Sequence, residues 1–189
     1  MRKVILQIDV SLDGFIAGAN GETDWVTSEE VMNQDASTLL DTVDTILLGR
    51  VAYQDFSSFW PFADMTAPTT ISKITSQINH ADKIIFSKTL DQVEWGAFNN
   101  ARLIRDNVPE EISKLKSSFG KNLLLYAGRK IISTFIHDGL IDEYHLRVHP
   151  VVLGKGMALF PTLDDRLKLS LTQAKAYKNG AVLLVYTPA

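Results

Sequence analysis

Basic side chains, hydroxyls and small residues follow directly after short apolar runs in four places. These are the loop beginning at Ser11, the pair Gly49-Arg50, the triplet Ser87-Lys88-Thr89, and Ala127-Gly128-Arg129-Lys130. The chemistry such groups suit is anion binding. A strand that turns into a helix through small residues presents unpaired backbone N–H groups, and the positive end of the helix dipole adds to their pull on a phosphate. The turn from Tyr126 to Ile131 has this form, between a strand at Leu123–Tyr126 and a helix at Arg129–Asp138. Gly49-Arg50 repeats it ahead of a shorter helix, and Ser87-Lys88-Thr89 sets two hydroxyls around an ammonium. Together they could hold a pyrophosphate and one further dianionic phosphate, which is the charge pattern of NADPH. Taken singly, each stretch is also an ordinary polar turn. Their recurrence at strand ends is what points to a dinucleotide.

Strand ends share a ligand only if the strands run side by side in one direction, because in a parallel α/β sheet ligands sit beyond the C-terminal strand ends. The chain supports that arrangement. Val4, Ile5, Leu6, Ile8 and Val10 make a nearly continuous apolar run, as expected of a strand covered on both faces. Val43–Leu48, Lys83–Phe86, Ala101–Arg105, Leu123–Tyr126 and Ile141–His149 read as further strands. Helices are expected over Ser28–Asp41, after Arg50, over Thr70–Asn79 and from Pro109 to Gly120. Thr27 and Glu30 fit a Thr-x-x-Glu capping box. Asn179-Gly180, between Leu167–Lys178 and Ala181–Thr187, predicts a type I′ hairpin. The result is an α/β fold: a mostly parallel sheet of about eight strands, helices on both faces and a C-terminal antiparallel hairpin. No repeat or linker divides it, so residues 1–189 read as one domain.

A formal charge of −3 with no long basic run argues against a nucleic-acid surface. The absence of cysteine rules out thiolate catalysis, disulfides and Cys-based metal sites. His145 and His149 share a strand face but stand too far apart to chelate one ion by themselves, and no metal site is expected. No apolar run is long enough for a signal peptide or a membrane span, and the chain reads as cytoplasmic.

Ser11-Leu12-Asp13-Gly14, Gly21-Glu22-Thr23-Asp24-Trp25-Val26-Thr27, Leu48-Gly49-Arg50, and Gly139-Leu140-Ile141-Asp142-Glu143 through Pro150-Val151-Val152-Leu153-Gly154 together resemble the dihydrofolate reductase-like superfamily. The nearest branch is the RibD C-terminal domain family, the reductase part of the bacterial bifunctional riboflavin deaminase-reductase. The resemblance implies NADPH as hydride donor, a small heterocyclic substrate (a pterin, a folate or a pyrimidine intermediate) and a homodimer. It also implies that Ile16 and Ala17 line the nicotinamide with Trp25 beside it. Gly49 and Arg50 would approach the phosphates, Ser87 and Lys88 the 2′-phosphate, and Ala127, Gly128, Arg129, Lys130 and Ile131 the pyrophosphate. The superfamily often has a cis Gly-Gly bond at that last turn, where this chain has Ala127-Gly128.

The substrate end departs from the riboflavin branch. Tyr126 stands where that branch has a pyrimidine-reading Glu, and Leu39 or Leu40 where it has an Arg, so a phosphorylated ribosylaminopyrimidine is disfavoured. Three carboxylates are candidates for catalysis or substrate contact. Glu30 lies five residues past Trp25, where the superfamily places its folate-protonating acid, although the capping box competes for it. Asp35 lies one turn further on. Asp9 falls at the end of the first strand and must be hydrogen-bonded or protonated if buried. Trp60, with Phe59 and Phe62, could roof a flat ring or equally serve as core or dimer contacts. Two functions follow: a reductase acting on a C=N or C=O group, or a nucleotide-binding protein that keeps the fold without the catalysis.

Overall fold

The computed structural model describes residues 1–160 and 166–189. In chain order the strands are β1 (Val4–Ser11), β2 (Phe15–Ala17), β3 (Val43–Gly49), β4 (Asp82–Phe86), β5 (Ala101–Ile104), β6 (Asn122–Tyr126), β7 (Glu143–His149), β8 (Met157–Ala158), β9 (Leu169–Ala176) and β10 (Val182–Pro188). The helices are α1 (Glu30–Asp41), α2 (Arg50–Phe59), α3 (Thr70–His80), α4 (Val108–Ser117) and α5 (Arg129–His137). Eight strands form one sheet in the order β5-β4-β3-β6-β1-β7-β10-β9. The first six in that order are parallel, while β10 runs antiparallel to both β7 and β9. This is the expected architecture, a parallel sheet closed by a hairpin.

Side-chain alternation along the strands builds two cores. Leu6, Leu47, Leu123 and Leu125 face α4 and α5 through Ile112, Ile132, Phe135 and Ile136. Ile5, Ile46, Leu48 and Leu124 face α1, α2 and α3 through Leu40, Tyr53, Ile74 and Ile78. On this second face β1 changes character partway along. Ile5 is followed at alternate positions by Gln7, Asp9 and Ser11, so the half of the strand nearest its tip carries a polar row.

Lys83, on β4, is fully buried against the end of α3. Its ammonium donates to the carbonyls of Ile78 at 3.1 Å, Asn79 at 2.7 Å and Ala81 at 2.8 Å, closing a helix end that would otherwise leave acceptors unmet. It lies 4.5 Å from the centre of the Trp95 ring, whose N–H donates to Asn79 Oδ1 at 2.8 Å.

Local details differ from expectation. Helix α1 begins at Glu30 without a side-chain cap, so there is no capping box. Thr27 Oγ1 accepts from Asn179 Nδ2 at 3.2 Å, and Glu30 bonds Thr70 and Gln34, because contacts with neighbouring elements outcompete the local pairing. The hairpin forms, but its turn is not type I′: Gly180 has φ 87°, whereas Asn179 stays out of the left-handed region. Tyr177 N–H reaches Ala181 O at 2.8 Å and Gly180 N–H reaches Tyr177 O at 3.1 Å, giving a three-residue loop with the glycine in the left-handed place. Strands β2 and β8 form a short antiparallel ribbon that alternation alone does not signal. The described peptide bonds are all trans, Ala127–Gly128 included.

Candidate functional site at the strand tips

The tips that carry the anion-binding chemistry are neighbours. Sheet order puts β4, β3, β6 and β1 side by side, so Ser87-Lys88, Gly49-Arg50, Ala127-Gly128 and the loop after Ser11 form one continuous edge. Helix α5 starts at Arg129 with Gly128 as its N-terminal flanking residue and no side-chain cap, and α2 starts at Arg50 after Gly49 in the same way. The first N–H groups of both helices are thus left to solvent or a ligand. A Cβ on Gly128 would meet nothing within 4 Å, so the turn faces open space. Gly49 has a different reason to be glycine, since a Cβ there would lie 2.8 Å from Ile131 Cγ1. It lets the first turn of α5 close onto β3, and Ile131 acts through that packing.

The cations on this edge are lightly held. Arg50 is exposed and donates to Gln54 at 2.9 Å, while Arg129 and Lys130 are exposed. Lys88 pairs with Asp106 at 3.0 Å, both side chains largely in solvent, a contact worth little and readily exchanged for a phosphate. Ser87 Oγ accepts the N–H groups of Thr89 and Leu90, each at 3.2 Å, which fixes the turn carrying Lys88. These features suit a phosphate-bearing ligand. Ile16 and Ala17 are buried in the β2–β8 ribbon, which leaves mainly backbone on that side for a flat ring.

At the tip of β1, on the face of α1 and α2, a second group assembles. Asp9 Oδ2 accepts from Arg147 Nη2 at 2.7 Å and Oδ1 accepts from His149 Nε2 at 2.8 Å. Strand register places Asp9 opposite Arg147 and Ser11 opposite His149. Because an ionised carboxylate only accepts, Nε2 of His149 must carry a proton. Trp25 stands edge-on to His149, ring centres 5.6 Å apart. One strand over, Tyr126 donates to Gln7 Oε1 at 2.6 Å. Burial pushes the Tyr126 phenol up to about 12; Arg147 opposes the shift and Asp9 adds to it. Phe56 links Tyr126 to Trp60, with ring centres 5.6 and 6.1 Å away, forming an aromatic wall beside the polar row.

Asp9, Trp25, Tyr126 and, through Phe56, Trp60 therefore converge. Glu30 and Asp35 are engaged elsewhere. Glu30 is exposed and turned to Thr70 at the start of α3. Asp35 accepts from Lys175 at 2.5 Å and from the Tyr177 hydroxyl at 2.8 Å, pinning α1 to the hairpin. Burial and the Asp35 carboxylate both push the Tyr177 phenol up. Gln7 and Arg147 were not among the sequence candidates, and His149 was weighed there only as a metal ligand. Alternation along β7 would have put Glu143, His145, Arg147 and His149 on one face, but only the β1–β7 register brings Arg147 to Asp9. No cluster able to hold a metal ion occurs among the described residues, and no described helix is long and apolar enough to cross a membrane.

Comparison with known proteins bears on the family and the fold. The sequence profile of the RibD C-terminal domain matches residues 2–183. The chain is 37% identical over 185 residues to the uncharacterized protein YyaP of Bacillus subtilis, covering 98% of this chain and 94% of that one. Among solved structures, a putative riboflavin biosynthesis protein from Shewanella superposes with a TM-score of 0.78 at 24% identity, covering 100% of this chain and 99% of that one. Dihydrofolate reductase from Enterococcus faecalis, solved with NADP(H), superposes at 0.63 with 14% identity, covering 98% and 96%. The shared fold is dihydrofolate reductase-like.

Proposed function

The chain belongs to the RibD C-terminal domain family, and from that premise we propose that it is an NADPH-dependent reductase that transfers a hydride to a C=N or C=O group of a small heterocycle. The observation that carries the reading is the continuous edge of tips β4, β3, β6 and β1, with two uncapped helix starts and four exposed cations along it. In this reading the backbone at Ala127-Gly128 and the first turn of α5 hold the pyrophosphate. Arg50, Ser87 and Lys88 hold the 2′-phosphate. Bound NADPH supplies the hydride. The chain itself positions the substrate ring, excludes water beside it and holds charge at Asp9 and Arg147 next to it.

The competing reading, a binding protein without catalysis, drew on Tyr126, Leu39 and Leu40 standing where a relative has an acid and a cation. Asp9 and Arg147 supply one of each at the tip of β1, from neighbouring strands, which supports the catalytic reading. Calorimetric titration with NADPH tests the proposal. Micromolar binding with a clear preference over NADH is expected, and no binding at millimolar cofactor would reject it. A homodimer belongs to the same reading and is testable by sedimentation equilibrium.

A further inference from the structure

The pair Asn-Gly occurs twice in the chain, at Asn20-Gly21 and Asn179-Gly180. In this pair asparagine loses its side-chain nitrogen most readily, because glycine has no Cβ to keep its backbone nitrogen off the neighbouring side-chain carbonyl. The two copies share a backbone setting. Gly21 and Gly180 have φ of 92° and 87°, and their N–H groups donate to Gly18 O and Tyr177 O, each at 3.1 Å. The asparagine side chains differ. Asn179 is held at both ends: Nδ2 donates to Thr27 Oγ1 at 3.2 Å and to Met32 Sδ at 3.3 Å, and Oδ1 accepts the Ala181 N–H at 3.1 Å. Asn20 is exposed, and its side chain makes no hydrogen bond among the described residues. Its backbone N–H is the part engaged, by Glu22 Oε2 at 2.8 Å.

We propose that Asn20 is a site of spontaneous modification, converting to aspartate and isoaspartate in the folded protein, while Asn179 is kept intact by its partners. The Gly21 backbone nitrogen gives its proton to solvent and attacks the Asn20 side-chain carbonyl carbon. A C–N bond forms, and the side-chain nitrogen leaves as ammonia with a proton from water. Water then opens the resulting succinimide at either carbonyl. One opening gives aspartate, and the other gives isoaspartate, whose backbone runs through the former side chain. Nothing is oxidised or reduced, and water is the only reactant the step consumes. At Asn179 the same attack would first have to pull the side chain away from Thr27, Met32 and Ala181.

The product loosens the loop that carries it. Glu22 already folds its carboxylate over this turn, so closely that a Cβ on Gly18 would lie 2.3 Å from Glu22 Oε1. A second carboxylate at residue 20 repels the first. Isoaspartate also lengthens the backbone inside a turn closed by Gly18 N–H to Glu22 O at 2.9 Å and by Gly21 N–H to Gly18 O at 3.1 Å. This turn joins Ala17 of β2 to the segment bearing Trp25, which stands against His149. None of residues 18–24 belongs to either core, so the change stays local. The proposal stands on the loop alone and holds whether or not the chain is a reductase.

The test ages the full chain in mildly alkaline buffer, folded and in urea, and follows both asparagines by peptide mapping with mass spectrometry. In urea the two should convert at rates within about twofold of each other, since neither then has partners. In the folded chain Asn20 should convert at least about tenfold faster than Asn179, whose bonds must open first. A protein L-isoaspartate O-methyltransferase should label the aged chain at residue 20, and Asn20→Gln should remove that label. Thr27→Val, which takes away one of the three bonds, should speed Asn179 in the folded chain by about threefold. Amide exchange at Gly18 and Gly21 reads the loop: it should be about tenfold faster in the aged chain and less accelerated in Asn20→Asp, which adds the charge without the longer backbone. Equal rates for the two asparagines in the folded chain overturn the proposal, as does protection of Asn20 on folding to the same degree as Asn179. Unchanged exchange at Gly18 and Gly21 in a chain shown to be modified overturns the loosening of the loop.

Discussion

At the residue scale, the strand-tip edge and the Asp9 group make separate demands. Arg50 and Lys88 are exposed and lightly held, so replacing them changes binding with little effect on folding. Arg50→Ala and Lys88→Ala should each weaken NADPH by about tenfold and NADH by less than about threefold, because only NADPH carries the extra phosphate. Equal losses for both cofactors by calorimetry would mean the 2′-phosphate sits elsewhere. Tyr126 belongs to the other group. Its hydroxyl donates to buried Gln7, so Tyr126→Phe leaves an acceptor unmet and should cost about 1–2 kcal/mol in urea unfolding. With its phenol pushed up to about 12, Tyr126 stays neutral through the physiological range and acts as a donor, never as a carboxylate substitute. That the strand-tip residues lie side by side was legible in the sequence because each stands in a local strand-end pattern. The Asp9–Arg147 pair was not, because its two halves are 138 residues apart.

At the scale of elements, two contacts set how closely the pieces approach. Gly49 lets α5 seat against β3, and Gly49→Ala drives a methyl into Ile131. The expected loss is about 1–3 kcal/mol by urea unfolding, and the Gly49→Ala, Ile131→Ala double variant should lose less than the two single variants together, because alanine removes the Cγ1 that the methyl meets. Full stability of the single variant would show that α5 has room to shift. Asp35 ties α1 to the hairpin through Lys175 and Tyr177. Strand and helix positions came through from apolar runs and glycines, but the ends of α1 and the geometry of the hairpin turn did not. In both places a bond to a distant element, Thr27 to Asn179 or Glu30 to Thr70, replaced the local motif that the spacing suggested. Local pattern predicts an element well and its termini poorly when the termini are used for tertiary contacts.

At the scale of the whole molecule, Lys83 links stability to pH. Burial pulls its ammonium from 10.5 down to about 7, against the pull of the Asp82 carboxylate. Below about 7 the folded and unfolded chains both hold the proton, and the burial cost is paid in full. Between there and 10.5 the unfolded chain keeps a proton that the folded chain has released, so stability rises with pH, by at most about 1.4 kcal/mol per pH unit from this group. Urea midpoints should climb from pH 7 to 9 in the native chain and climb less in Lys83→Met; parallel slopes would assign the dependence to other groups. Lys83→Met should also be less stable at pH 7 by about 1–3 kcal/mol, since it strips a donor from the carbonyls ending α3. The parallel sheet closed by a hairpin was legible from nearly continuous apolar runs and from Asn179-Gly180. The placement of β7 as the seam between the parallel strands and the hairpin, with β1 on one side and β10 on the other, was not. That seam has a temporal consequence. Asp9 emerges early in synthesis, Arg147 and His149 much later, and β10, which covers the outer side of their strand, later still. A nascent chain stalled before β10 already carries every residue of both groups, yet β7 is then an open sheet edge, and the strand holding Arg147 and His149 gains its second neighbour only when the last strand docks.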